Sequence, residues 1–174
     1  WLLSWFSPGE SGVSAARWFQ CVFGALAACA VTALAWRLST VGLIAGLIVA
    51  FDPTLVGSAS LLLSETVAVT LLAGLWYAAW PLRDAQSRSP LRWLSTIVLS
   101  ILVIYAKEST IILVAALYAY LVFARRDRHG VFAAVASVGC IVLALVPWAY
   151  RNKQVSGDWI WLTSRGGISL YDGV

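Results

Sequence analysis

The sequence contains no methionine, a single histidine and few charged residues. Asp, Glu, Lys and Arg make up 11% of its 174 residues, whereas 61% are hydrophobic. A water-soluble domain of this size needs far more charge on its surface, so the composition excludes that class and predicts an integral membrane protein with several spans. The missing methionine, and an ending on "LYDGV" without a closing element, predict an internal piece of a longer protein.

Histidine and cysteine are too scarce to suggest a metal site or a disulfide framework. The only histidine, His129, lies in a basic loop, where it has no ligand partners for zinc. Cys21, Cys29 and Cys140 are odd in number and lie in apolar runs, so we expect small buried side chains. No cofactor is predicted. A divalent ion beside a bound phosphate is compatible with the sequence, but the acids are too scattered to assign ligands.

The apolar runs predict an all-α, polytopic transmembrane bundle of about six helices, because roughly 20 helical residues cross a hydrocarbon core of about 30 Å. The runs cover about residues 13–35, 40–51, 57–80, 91–106, 109–124 and 131–150. The second and fourth are short for a full crossing. We expect residues 1–150 to form the bundle and the polar residues 151–174 to begin a non-cytoplasmic loop. Small residues allow close helix packing, and the glycines inside the runs are Gly24, Gly42, Gly46, Gly74 and Gly139.

Basic residues lie mainly at the ends of these runs, which favours a role in membrane orientation over nucleic-acid binding. If all six runs cross, one side carries seven of the twelve: Arg37, Arg83, Arg88, Arg92, Arg125, Arg126 and Arg128. The positive-inside rule makes that side cytoplasmic. The other side carries the remaining cations, Arg17, Lys107, Arg151, Lys153 and Arg165, and six of the eight acids.

Two acids on the predicted outer side are candidate site residues. Glu65 interrupts the apolar run "SASLLLSETVAVTLLAGLWYAAW". A carboxylate in a membrane helix is costly unless it is paired or protonated, so Glu65 either faces a polar cavity or lies at the interface, capped by neighbours and water. Asp52 precedes Pro53, and it is either a second site acid or a loop acid beside a helix breaker.

The cations of the outer side are candidates for binding an anion. Lys107 and Glu108 in "YAKEST" form either a tight turn with a solvated ion pair or a turn whose lysine holds a lipid phosphate. One interpretation of the remaining cations is that each lies at the interface and extends toward water; they are Arg17, Arg151, Lys153 and Arg165. Together with Lys107 they instead predict a face that binds an anionic lipid head group.

Three stretches resemble the C-type-fold integral membrane glycosyltransferases, the superfamily of protein mannosyltransferases and bacterial aminoarabinose transferases. "LLSET" at 62–66 follows Pro53 and resembles their proline and "LLSE" pattern on an outward-facing helix. "GVSAARWFQ" resembles the helix that follows their first large outer loop, with Arg17 at the arginine position. "VPWAYRNKQVSGDWIWLTSRGGISLYDG" resembles their "PW…RN…G" exit and "TS-x-GG" segment.

The resemblance implies transfer of a sugar from a polyprenyl-phosphate donor to a lipid, glycan or protein acceptor on the non-cytoplasmic face of a bacterial plasma membrane. It also implies that the catalytic acid pair lies upstream, so that this chain alone is inactive. Lys107, Arg17, Arg151 and Arg165 would then stabilise the leaving phosphate, and Glu65 would orient a cation or a sugar hydroxyl. A transporter or flippase and a non-catalytic membrane subunit are the alternatives, and an internal repeat, which would favour a transporter, is not evident.

Overall fold

The computed structural model of the chain describes residues 10–37, 39–60, 65–84, 87, 89–125 and 127–161, with backbone alone at 10, 11 and 58–60. In these ranges the protein is helical and contains no strand, which confirms the all-α class. The helices are α1 (Glu10–Trp36), α2 (Gly42–Ala50), α3 (Pro53–Ser60), α4 (Glu65–Ala79), α5 (Pro90–Ala106), α6 (Ile111–Arg125) and α7 (Arg128–Ser156). Short 3-10 turns cover Trp80–Arg83 and Glu108–Thr110.

Within the described ranges, three stretches of helix are long and apolar enough to cross a membrane: Gly12–Trp36, Glu108–Arg125 and Arg128–Ser156. Large apolar side chains also lie on the outside of the helices, including Ile48 at 67%, Phe123 at 75% and Leu143 at 70% exposure. Such a surface is unfavourable in water but suits lipid. Both observations indicate a membrane protein, in agreement with the composition.

The helix that follows the second predicted run begins earlier than predicted. α3 begins at Pro53 rather than near residue 57, and α4 covers Glu65–Ala79; residues 61–64 lie outside the described part. Proline fits the first position of a helix because its missing N–H has no intrahelical partner there anyway. Pro53 therefore starts a helix, whereas the sequence analysis treated it only as a breaker.

The last helix is longer than predicted. α7 continues to Ser156, so that residues 151–156 are helical rather than part of a loop that begins at 151. Polarity marks the end of a lipid-facing run but not the end of a helix, and Arg, Lys and Gln are good helix formers. The helix ends at Gly157, whose φ of 82° is the left-handed conformation that glycine adopts readily.

The chain divides into two compact units, Trp1–Pro81 and Leu82–Val174. In the first unit, α2 returns along α1 at close range. A Cβ atom added to Gly42 would lie 2.6 Å from the Trp36 amide nitrogen, and one added to Gly46 would overlap the Thr32 hydroxyl. The absence of side chains at these two glycines lets the helices touch, as the sequence predicted. The same prediction is wrong for Gly74 and Gly139, where an added Cβ atom would meet nothing within 4 Å.

Helix α4 packs against α1 in the same direction. The Thr70 hydroxyl donates to the Phe23 carbonyl of α1 over 2.7 Å, and further along both helices the Arg37 guanidinium lies 3.8 Å from the centre of the Tyr77 ring. Arg37 also donates to the Tyr77 carbonyl over 3.3 Å. Polar contacts thus join α4 to α1 at two positions along the helix pair.

The second unit contains α5, α6 and α7, connected by short turns. The core includes Leu117 and Leu121 of α6, each 1% exposed. A small polar cluster joins helices within this core: the hydroxyls of Ser100 on α5 and Tyr118 on α6 lie 3.5 Å apart. Hydroxyl pairs of this kind add specificity to helix contacts in lipid, where burial of apolar surface contributes little.

Arg125, the last residue of α6, is the centre of a buried network. Its Nε lies 2.9 Å from Asp127 Oδ1, its Nη1 donates to the carbonyls of Leu82 (3.2 Å) and Ser87 (3.1 Å), and its side chain is 2% exposed. Asp127 also caps α7 by accepting the Gly130 amide over 3.0 Å. The hydrogen bond from Arg125, followed by the one from Gly130, holds the pKa of Asp127 below its usual range.

The cysteines differ from the expectation of burial. Cys21, Cys29 and Cys140 are free thiols on the exposed surfaces of α1 and α7. In a membrane helix the surface faces lipid, where a small apolar side chain is as acceptable as in a core. Burial was therefore the wrong inference from an apolar sequence context.

Candidate functional site

The turn between α5 and α6 is built around Thr110. This buried threonine donates its hydroxyl to the Lys107 carbonyl over 2.6 Å and its amide to the same oxygen over 3.1 Å, and the hydroxyl lies 3.2 Å from the Val103 carbonyl. Lys107 is extended, with φ −153° and ψ 110°, and it is half-buried, whereas Glu108 is exposed. The turn is therefore a fixed platform from which a lysine and a glutamate project.

The ends of the helices in the second unit divide the cations into two groups. α5 and α7 run in the same direction, and near their C-terminal ends the Tyr105 hydroxyl donates to the Ala144 carbonyl over 2.7 Å. The Tyr105 and Trp148 rings meet edge to face, with centroids 6.0 Å apart. Lys107, which follows α5, therefore lies at the same end of the unit as Arg151 and Lys153, and Arg125 marks the opposite end.

Arg151 and Lys153 lie on the exposed surface of the last turns of α7. The Arg151 guanidinium carbon is 5.5 Å from the centre of the Trp148 ring, and the Lys153 ammonium is 4.3 Å from the centre of the Trp159 ring. Cations over aromatic faces are attracted to the ring quadrupole and keep their polar hydrogens available for an anion.

In the first unit, Arg17 and Glu65 lie at one end of two parallel helices. Phe23 of α1 and Thr70 of α4 are joined by a hydrogen bond. Arg17 lies six residues before Phe23, or about 9 Å along α1, and Glu65 lies five residues before Thr70, or about 8 Å along α4. Glu65 is half-buried and Arg17 is exposed, and near the same end Gln20 (3% exposed) and Thr66 (1% exposed) are buried. This end of the helix pair is consequently polar in its interior.

Asp52 is the N-cap of α3. Its Oδ1 accepts the amide hydrogens of Thr54 over 2.7 Å and Leu55 over 3.2 Å. Hydrogen bonds from the Thr54 side chain, and then from these amides, lower the pKa of Asp52. The cap gives Asp52 a structural role that needs no ligand, and capping of a helix start was not among the interpretations made from the sequence.

The cap makes the start of α3 sensitive to acid. The pKa of Asp52 is lower in the folded protein than its ordinary value of about 3.9, so its stabilisation is complete above that value and is lost as the pH falls through the folded pKa. We expect hydrogen-exchange protection of the Thr54 and Leu55 amides to fall below about pH 4. Asp52→Asn should retain the cap and remove this pH dependence, so identical profiles for the two proteins would contradict the assignment.

Among the described residues, no three His, Cys, Asp or Glu side chains group in a way that could hold a metal ion. Arg165 lies outside the described part of the chain. Of the remaining candidates, Lys107, Glu108 and Arg151 belong to the second unit, whereas Arg17, Asp52 and Glu65 belong to the first.

The burial of Arg125 and the ring contacts of Arg151 and Lys153 were not predicted from the sequence. Asp127 is a recognisable N-cap signal for α7. The carbonyl groups that Arg125 contacts belong to residues 82 and 87, and no local sequence pattern predicts them.

Compared with protein-family models, curated proteins and solved structures, the chain shows no significant match.

Proposed function

We propose that this chain is the membrane part of a multi-pass glycosyltransferase of the bacterial plasma membrane. The enzyme would transfer a sugar from a polyprenyl-phosphate donor to a lipid, glycan or protein acceptor at the non-cytoplasmic face. The proposal rests on the resemblance of "LLSET", "GVSAARWFQ" and the 146–173 segment to the C-type-fold enzymes, and on one structural observation.

That observation is the gathering of Lys107, Arg151 and Lys153 at the end of the second unit opposite Arg125. Cations at the outer end of membrane helices run against the positive-inside trend and are explained by a negatively charged partner. A lipid-linked phosphate is such a partner, because its tail remains among the helices while its phosphate meets the cations.

The chemistry requires a base and a stabilised leaving group. The acceptor hydroxyl loses its proton to the base, its oxygen bonds to the anomeric carbon, and the bond from that carbon to the phosphate oxygen breaks. The electron pair leaves with the phosphate, which gains negative charge. Lys107 would stabilise that charge, and the catalytic acid pair that supplies the base would lie in an upstream loop.

Glu65 and Arg17 are the candidates in the first unit, Arg17 for the charge of a phosphate and Glu65 for a cation or a sugar hydroxyl. Their position at one end of the parallel pair α1 and α4 supports a shared role, and the buried Gln20 and Thr66 give that end a polar interior. A carboxylate there can accept hydrogen bonds from sugar hydroxyls or hold a guanidinium in place.

A transporter or flippase is the second candidate, and one observation favours it. α2 and α3 are apolar helices of only nine and eight residues that meet at Phe51 and Asp52. Transporters often build their sites from such short helices. The Asp52 carboxylate, however, is already engaged by two amides of α3, which leaves the transferase as the first proposal.

The proposal is tested in the complete protein, reconstituted in vesicles with polyprenyl-phosphate sugars. Glu65→Gln and Lys107→Ala should each lower the transfer rate at least about tenfold, because each removes a charge that acts on the donor or its leaving group. Membrane insertion should remain at the level of the unaltered protein.

Arg92→Gln provides the matched control, since Arg92 is an exposed cation at the far end of α5, and it should retain transfer. Unaltered rates in both Glu65→Gln and Lys107→Ala would remove the two assignments. Movement of labelled lipid across the vesicle without a new glycosidic bond would instead identify a transporter.

A further inference from the structure

The C-terminal turns of α7 extend beyond the length that a bilayer requires. The helix has 29 residues, which corresponds to about 43 Å, whereas roughly 20 residues cross a hydrocarbon core of about 30 Å. With Arg128 at one boundary, the other boundary falls near Trp148. The residues after Trp148 then lie at the depth of the lipid head groups, where tryptophan and tyrosine are favoured.

Residues 148–161 fold into a compact element that we name the α7 hook. Gly157 reverses the chain after the helix, and its amide donates to the Lys153 carbonyl over 2.9 Å. The Asn152 side-chain amide then donates to the Ile160 carbonyl over 2.9 Å, which fastens the returning segment to the helix. The hook is thus an ordered surface rather than a trailing end.

The hook presents cations and apolar rings side by side. The Lys153 ammonium lies 4.3 Å from the centre of the Trp159 ring, and Trp159 and Trp161 are 54% and 51% exposed. Arg151 is exposed beside Trp148. Rings that remain half-exposed next to cations match the boundary between acyl chains and phosphates, where one surface is apolar and the other is negatively charged.

We propose that the α7 hook binds the phosphate head group of an anionic phospholipid of the bilayer, with Arg151 and Lys153 as its ligands. Residues 148–161 carry two cations and one acid, Asp158, which gives the hook a net charge of +1. A soluble anion would use the cations but leave the tryptophans in water, whereas a bilayer lipid contacts both. The same two cations belong to the group that the proposed function assigns to the donor phosphate, so the test contains no sugar donor and its outcome does not depend on transfer.

The test uses the purified chain in nanodiscs with photoreactive phosphatidylglycerol or phosphatidylcholine, and no sugar donor. Labelling of residues 148–161 is measured by mass spectrometry. We expect at least tenfold more labelling of the hook by phosphatidylglycerol, because each cation near an anionic surface contributes about a factor of five. Arg151→Gln combined with Lys153→Gln should abolish this preference, and 0.5 M salt should weaken it.

Arg92→Gln combined with Arg128→Gln is the matched control, since it removes the same charge from exposed positions at the other end of α5 and α7. It should leave labelling of the hook unchanged. Equal labelling by the two lipids would overturn the proposal. It would also be overturned if the Arg151 and Lys153 substitutions lowered thermal stability without changing the lipid preference, because the cations would then only complement the negative end of α7.

Discussion

Gly130→Ala should lower the free energy of unfolding of the second unit by about 2 kcal/mol. A Cβ atom at this position would overlap the Arg125 Nε and lie 2.6 Å from Asp127 Oδ1. Arg125 has little freedom to move away, because its guanidinium is held by the Leu82 and Ser87 carbonyls as well as by Asp127. The change would appear as a lower midpoint of thermal unfolding in detergent, by about 8–16 °C, since 1 kcal/mol corresponds to about 4–8 °C in a domain of this size.

Gly139→Ala is the matched control for this prediction. It makes the same change in the same helix, but a Cβ atom there would meet nothing within 4 Å. Alanine is a better helix former than glycine by about 0.5–1 kcal/mol, so this variant should be neutral or more stable. Equal destabilisation by the two substitutions would show that the Arg125 network does not fill the space beside Gly130.

A double-mutant cycle identifies the partner. In an Arg125→Leu background the network is already lost, and the overlapping side chain is replaced by a shorter one without hydrogen bonds. Gly130→Ala should then cost less than about 0.5 kcal/mol, since the coupling between two residues in contact disappears when one of them is removed. If Gly130→Ala lowered the free energy of unfolding equally with and without Arg125, the alanine would clash with a residue other than Arg125.

The sequence predicted where apolar helices lie more accurately than where they end. Apolar runs report contact with lipid, so α5 and α6 agree with the predicted spans to within a few residues. The ends of α7 depend instead on Asp127 and Gly157, whose effects are those of single hydrogen bonds and one backbone angle. Hydropathy is insensitive to both, and residues 151–156 were therefore assigned to a loop.

Burial of polar residues was the least predictable feature. Arg125 was counted with the other cytoplasmic arginines, yet it is buried, whereas Arg92 and Arg128 are exposed. The difference comes from carbonyl groups about 40 residues away in the sequence, which only the folded chain brings to the guanidinium. One sequence without such long-range information cannot distinguish a buried arginine from its exposed neighbours.

The candidate site was partly accessible from sequence. Because successive loops were assigned to alternate sides of the membrane, the sequence predicted Lys107 and Arg151 on the same side. In the structure α6 runs antiparallel to α5 and α7, so that both residues lie at one end of the second unit. The cap formed by Asp52 was not predicted, because Asp before Pro was interpreted either as a site acid or as a loop acid beside a helix breaker. An Asp at the N-cap followed by a Pro at the first helical position is a helix-start signal that the sequence contained.

The largest effect is expected for Gly42→Ala, at about 3 kcal/mol of lost stability in the first unit. The added Cβ atom would lie 2.6 Å from the amide nitrogen and 2.8 Å from the Cα of Trp36, and 2.9 Å from the Thr32 carbonyl. All three atoms belong to the backbone of α1, so no side-chain rotation relieves the overlap. α2 would have to move away from α1, and hydrogen-exchange protection of the α2 amides should fall accordingly.

Two further substitutions make the test specific. Gly74→Ala on α4 introduces the same methyl group into open space and should not destabilise the unit. At Gly46 the overlapping atom is the Thr32 hydroxyl, a side-chain atom, so Thr32→Ala should recover part of the stability lost in Gly46→Ala. The same Thr32→Ala should not rescue Gly42→Ala, whose obstacles are backbone atoms.

This contrast bears on what holds α2 in place at all. Between helices in lipid there is little gain from burying apolar surface, so close contact of backbones, with its dispersion attraction, becomes the main source of association. α2 is only nine residues long, and its two buried residues are Gly42 and Gly46. If Gly42→Ala left the protection of α2 unchanged, another element of the first unit would have to hold this helix, and the glycine contact would be incidental.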